Sequence, residues 1–124
     1  MTGLRDVLGD AALRQTRDNF NTAEKLRHAI SELSAHKGEL LSHREKAWAS
    51  ITFSGTRHEL CLRFTGQDAV DAGEALIAAL PDHDFSIPGQ LVADAGVAEV
   101  DQRFGSGSDC TLTCRLDILM LEDS

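Results

Sequence analysis

Between Asp10 and Lys37, a stretch with no Pro or Gly, apolar residues recur at helical spacing. Leu26, Leu33 and Leu40 stand seven apart, with Thr16, Ala23 and Ile30 as a companion row and Leu13 and Phe20 flanking it early. Arg14, Arg17, Asp18, Glu24, Lys25 and Glu32 fall on the opposite side. Such a stripe predicts a long amphipathic helix, with Asp10 as its N-cap. His36-Lys37-Gly38 reads as its C-terminus, with Gly at C′. Leu40 nevertheless continues the stripe and leaves open a helix that runs through Gly38. A seven-residue repeat suits left-handed packing on another helix, so two surfaces compete for Leu26, Ile30, Leu33 and Leu40: the chain's own sheet and a second subunit.

From about Ala47 the period changes to two. Ala49, Ile51 and Phe53 alternate with Trp48, Ser50 and Thr52, and Leu60, Leu62 and Phe64 alternate with Cys61 and Arg63. With Ser54 to His58 as the turn, this predicts a β-hairpin that sets Phe53 opposite Leu60 and Ile51 opposite Leu62. Thr65-Gly66-Gln67-Asp68 then opens a helix, capped near Thr65 or Asp68, that carries Val70, Gly73, Leu76, Ile77 and Leu80 and ends at Pro81. Gly73 on its apolar side would allow close approach to a sheet. A second β pair follows, from near Leu91 to Phe104 and from Cys110 to Leu121, turned by Gly105-Ser106-Gly107-Ser108-Asp109. Its last strand alternates Leu112, Cys114, Leu116, Ile118 and Met120 with Thr111, Thr113, Arg115 and Asp117. If Phe104 faces Cys110, Val100 meets Cys114 and Glu99 meets Arg115.

The fold class expected is α+β: a long N-terminal amphipathic helix, then β-β-α-β-β, with a four-stranded antiparallel sheet covered by helices on one face. Residues 1–45 form a helical arm and 46–124 an acidic body, together a single folding unit of 124 residues.

Charge sharpens that division. All three lysines lie in the first 46 residues, which hold eight cations against seven acids. Beyond them stand only Arg57, Arg63, Arg103 and Arg115 against thirteen acids. The overall −8 would repel a phosphate backbone, whose neutralisation by Lys and Arg supplies most nucleic-acid affinity, so no nucleic acid is expected as a partner. No run approaches the roughly 20 apolar residues that span a bilayer, so no membrane is expected either. The opening residues carry neither the basic nor the apolar part of a secretory signal, and three cysteines cannot pair evenly. Free thiols in a cytoplasmic protein are the expectation.

Candidate chemistry is sparse. Cys110 and Cys114 lie four apart on one strand, about 13 Å, too far for one disulfide, and both fall on the core face. Cys61 falls on the polar face and is the thiol most open to reaction. His28, His36 and His43 lack the i, i+4 spacing of a helical zinc site. His58 in Arg57-His58-Glu59 and His83 in Asp82-His83-Asp84 have the composition of a general base beside carboxylates, but adjacent residues of this kind in a loop usually form a solvated turn. No phosphate loop or nucleophile elbow occurs, so no catalytic residue, metal or cofactor is assigned.

Parity puts Trp48, Ser50, Thr52, Cys61, Arg63, Arg103, Thr111, Thr113 and Arg115 on the polar sheet face. Three of the body's four arginines therefore share one face with the chain's only tryptophan, a composition favoured at binding hot spots. Arg115–Glu99 and Arg103–Asp101 read equally as ordinary surface pairs. The expected function is a non-enzymatic protein-interaction or assembly module, acting as a homodimer through its near-neutral arm and acidic body, with a further protein partner possible. The alternative is a small-molecule binder, or weak enzyme, for an anionic ligand. It would use Trp48, Cys61, Arg63, Arg103, Thr113 and Arg115, or a loop site at His58 and His83.

Overall fold

A computed structural model of the chain describes residues 21–106 and 109–122. A helix, α1, is described from 21 to 33. Strands β1 (Glu39–Ala49) and β2 (Ser54–Thr65), helix α2 (Gln67–Ala79), a 3-10 turn (Leu80–Asp82), β3 (Gln90–Arg103) and β4 (Thr111–Glu122) follow. The four strands form one antiparallel sheet in the order β1-β2-β4-β3. None of the described helices is long and apolar enough to cross a membrane.

The long helix expected from the heptad stripe is overturned at its C-terminal end; residues 10–20 of that stripe lie outside the described residues. The helix stops at 33, and Ala35 and His36 take left-handed φ of 54° and 59°. His36 N–H donates to the Ser31 carbonyl at 2.8 Å, which closes the last turn as a Schellman-type cap does. The expected C′ glycine, Gly38, has another role. A Cβ there would stand 2.7 Å from Phe64 Cε1, so the chain can cross the Phe64 ring only without a side chain. Leu40 then belongs to β1, opposite Leu62. Glu39 to Ala49 is rich in helix formers, but β2 offers it a ladder of backbone partners, and tertiary pairing overrides propensity.

The first hairpin is displaced as well. Its turn is Ser50 to Phe53, with Ser50 N–H donating to Phe53 O at 2.7 Å and Phe53 N–H to Ser50 Oγ at 3.1 Å. Leu60 faces His43 and Leu62 faces Leu40, not Phe53 and Ile51, which stand exposed at the tip. The second hairpin has Glu99 opposite Arg115 and Val100 opposite Cys114.

α2 begins after Gly66, whose φ is 90° and which offers no side-chain cap; neither Thr65 nor Asp68 caps it. Pro81 sits in the 3-10 turn that ends it. Gly73 does face the sheet, since a Cβ there would lie 2.8 Å from Phe64 Cδ2. Phe64 is thus wedged between two glycines, and the core spreads from it. Leu26 and Ile30 of α1, Val70 and Leu76 of α2, and Leu60, Leu62, Leu112, Cys114, Leu116, Ile118 and Met120 of the sheet form one buried cluster. Leu33 packs at its margin. The stripe of α1 therefore covers the chain's own sheet.

Candidate functional site

Among the described residues the sheet presents its other face without a helix over it, and strand register sorts that face into rows. Glu39, Arg63, Thr113 and Asp101 form one row from β1 to β3; Ser42, Cys61, Arg115 and Glu99 form the next. Arg44, Glu59, Asp117 and Gly96 follow, then Lys46, Arg57, Leu119 and Asp94. The last row is Trp48, Gly55, Leu121 and Leu91. A side chain at Gly55 would run into the Met120 carbonyl.

Opposite charges alternate across these rows and pair. Arg57 Nη1 donates to Asp117 Oδ1 at 2.8 Å, Lys46 Nζ lies 3.5 Å from Glu59 Oε1, and Arg115 Nη2 lies 3.5 Å from Glu99 Oε2. Each pair is at least partly exposed and contributes at most about 1 kcal/mol. The end of the face formed by the last two rows differs in kind. Leu119 and Leu121 share this polar face yet are buried, Trp48 is half-buried, and Leu91 is 58% exposed. Beyond them the hairpin tip holds Ile51, 107% exposed, and Phe53, 52% exposed. An ion-paired field thus runs into an apolar end.

Of the residues expected on the polar face, Cys61, Arg63, Thr113 and Arg115 lie together at its centre, with Arg103 and Thr111 as the row beyond Thr113. Trp48 stands at the opposite end, and Ser50 and Thr52 are in the hairpin turn rather than on the face. Cys61 is half-buried and lines a cleft of about 240 Å³ with Ser42, Arg44, Glu59, Leu60 and Arg115. Cys110 and Cys114 are buried. Burial first, and then the nearby Cys61, push the Cys114 thiol up to about 11.

The histidines fall differently from the expectation. His83 stays exposed and stacks edge-on against Phe85, with ring centroids 4.6 Å apart. His58 is not in a loop: it lies within β2, on the helix-covered face, 1% exposed. It meets His43, one of the three histidines set aside for lacking zinc-site spacing. Arg27 Nη1 of α1 donates to His43 Nδ1 at 2.9 Å, and His43 Nε2 lies 2.8 Å from His58 Nδ1. Because the guanidinium only donates, His43 carries its proton on Nε2 and donates to His58. Glu45 Oε1 stands 3.8 Å from His58 Nδ1. Burial, then the charges of His43 and Arg27, lower the His58 pKa to about 4; burial and Arg27 lower that of His43. This chain of three ties α1 to both strands of the first hairpin. Sequence spacing gave no sign of it, because His43 and His58 become neighbours only in the displaced register. Among the described residues no cluster of His, Cys, Asp and Glu could hold a metal ion.

No protein-family model matches this chain, and no curated protein matches it. Among solved structures, a chain in the virion of a native gene transfer agent (GTA) particle is similar. The match covers 82% of this chain and 92% of that one, at 14% identity and a TM-score of 0.53. At that identity the likeness shows a shared fold.

Proposed function

We propose that this chain is a non-enzymatic assembly subunit that associates with further copies of itself within a larger protein assembly. The observation that carries the reading is the apolar end of the open sheet face, where Ile51, Phe53 and Leu91 stand exposed beside Trp48. Solvent-facing apolar clusters rimmed by charge mark protein contact surfaces, and a two-residue tip with a fully exposed Ile does nothing for the hairpin that bears it. The likeness to a chain of a virion particle agrees with such a role. A cytoplasmic location belongs to the same proposal. Sedimentation velocity of the full chain at rising concentration tests it. Species larger than the 13.4 kDa chain are expected, and Ile51→Ser with Phe53→Ser should shift them toward monomer. A single 13.4 kDa species at every concentration would overturn the reading.

A second reading rests on the cleft around Cys61. Arg44, Arg115 and Ser42 line it together, donors suited to a small planar anion. Titration calorimetry with phosphate and with a dicarboxylate tests it; heats that vanish in Arg115→Ala would support an anion site, and no heat with either would end it.

A further inference from the structure

We propose that copies of this chain join head to tail through the edges of their sheets, β3 of one copy lying antiparallel to β1 of the next. The proposal rests on the assembly reading above and names its contact. Both outer strands have one edge without a strand beside it among the described residues, and such edges are ready templates for a further strand. Strand directions alternate across β1-β2-β4-β3, so β1 and β3 of one copy run in opposite directions. A second copy placed beside the first in the same orientation therefore continues the antiparallel pattern without a break.

The rows of the sheet then dictate which residues meet. On the open face, Asp94 meets Lys46 of the next copy, and Arg44 of that copy comes opposite Gly96, between Asp94 and Glu99. Leu91 meets the next copy's Trp48. On the helix-covered face, Leu40 and Val100 belong to one row through Leu62 and Cys114. They are 41% and 46% exposed at opposite edges of a single copy, and would cover one another across the junction. Three of the exposed large apolar residues, Leu40, Leu91 and Val100, thus find apolar partners in one operation. The only like-charge meeting is Glu39 with Asp101, and Arg63 adjoins Glu39 in that row.

Charge selects this arrangement over a symmetric β3–β3 contact. The open face of β3 carries Asp94, Glu99 and Asp101, with Arg103 at its end, whereas β1 carries Arg44 and Lys46, with Glu39 at its start. Pairing β3 with β3 brings its acids together; β3 with β1 brings Asp94 to Lys46 and sets Arg44 between Asp94 and Glu99. Bulges at Val92/Asp94 and Val97/Glu99 confine the regular ladder to Asp94–Val97, opposite His43–Lys46 of the next copy. A head-to-tail contact closes into a ring or winds into a filament.

Cross-linking tests the geometry. Opposed residues of an antiparallel pair lie about 4.5–5.5 Å apart, within disulfide range. On a Cys61→Ser background, a chain carrying both Lys46→Cys and Asp94→Cys should oxidise to a ladder of dimers, trimers and larger species. A mixture of the two single variants should stop at dimers, and neither alone should cross-link. Lys46→Glu should weaken association about tenfold, and adding Asp94→Lys should restore it. The lone tryptophan should shift its emission to the blue as oligomers form. Cross-linked dimers from one single variant would mean a twofold contact and overturn the proposal. Oligomers in sedimentation without any Lys46–Asp94 cross-link would overturn the edge pairing while leaving self-assembly intact. A chain that stays monomeric would overturn both.

Discussion

On one face of the sheet, Leu60, Phe64, Leu112, Leu116, Ile118 and Met120 are all at or below 1% exposure beneath two helices. On the other, Lys46 and Glu59, Arg57 and Asp117, and Arg115 and Glu99 pair in view of water. The two faces alternate along the same strands, one residue to each in turn. The covered face gains roughly 1.5–3 kcal/mol for each large side chain it buries, and tolerates little change. The open face gains a fraction of that per ion pair. It is therefore the surface a protein can devote to partners without risking the fold, and the apolar residues left exposed there and at its edges are informative for that reason. The polar chain Arg27–His43–His58 is the exception on the covered side, a hydrogen-bonded strap in place of an apolar contact.

The sharpest way to break this comparison is to charge the covered face. Leu26→Asp buries a carboxylate at a position with 0% exposure and should cost at least about 4 kcal/mol. Loss of a cooperative thermal transition in circular dichroism is the expected result; an unchanged midpoint would mean that α1 is not part of the core.

Acid probes the polar strap. The folded-state pKa of His58 lies below its ordinary 6.5, at about 4, so the unfolded chain binds a proton that the folded one refuses. Stability from neutral His58 is complete above pH 6.5 and is lost progressively as pH falls toward 4, by roughly 3 kcal/mol in all. His43 moves in the same direction, with Arg27 and Glu45 as the other charges at the strap. Urea midpoints measured from pH 7 to pH 4 should fall more steeply in the native chain than in His58→Leu. Equal slopes would show that His58 titrates as a solvated group.

Packing around Phe64 gives a smaller effect of definite sign. Ala in place of Gly in a helix ordinarily stabilises by about 1 kcal/mol. Gly73→Ala should instead destabilise by roughly 1–3 kcal/mol, because its methyl meets the Phe64 ring at 2.8 Å. Combining it with Phe64→Leu should cost less than the two changes summed, which a double-mutant cycle in urea would register.

Smallest of all is the open face. Arg57→Ala removes the 2.8 Å pair with Asp117 and should change the unfolding free energy by less than about 1 kcal/mol, with part of that gone in high salt. A loss comparable to that at Leu26 would erase the distinction between the faces.

The two hairpins show how far local pattern reaches. In β4 every second residue from Leu112 to Met120 is apolar, and Gly105 to Asp109 announces the turn, so pairing of Glu99 with Arg115 follows from parity and turn position alone. In the first hairpin, Ser54-Gly55 carries turn composition but lies in β2, while the actual tip, Ser50-Ile51-Thr52-Phe53, carries two β-branched residues. Hairpin turns of this length usually recruit Asn or Gly, so nothing local marks this one. Displacing the turn also moved His58 out of a loop and into the core, which is why the strap to Arg27 was illegible. The heptad stripe misled for a related reason. Leu40 keeps helical spacing with Leu26 and Leu33, but two left-handed residues intervene.

By itself, the sequence determined the number and type of the elements after the arm, the covered face of α2 and β4, the alternation of core and open sides in the second hairpin, and the acidic balance of the body. Each is a property of neighbours a few residues apart, and side-chain periodicity reports those directly. Only the tertiary structure decided where α1 stops, which residues turn the first hairpin, and that Arg27, His43 and His58 meet. Those outcomes depend on which strand offers hydrogen bonds to residues 39–49 and on room beside one phenylalanine ring, both set by residues distant in the chain.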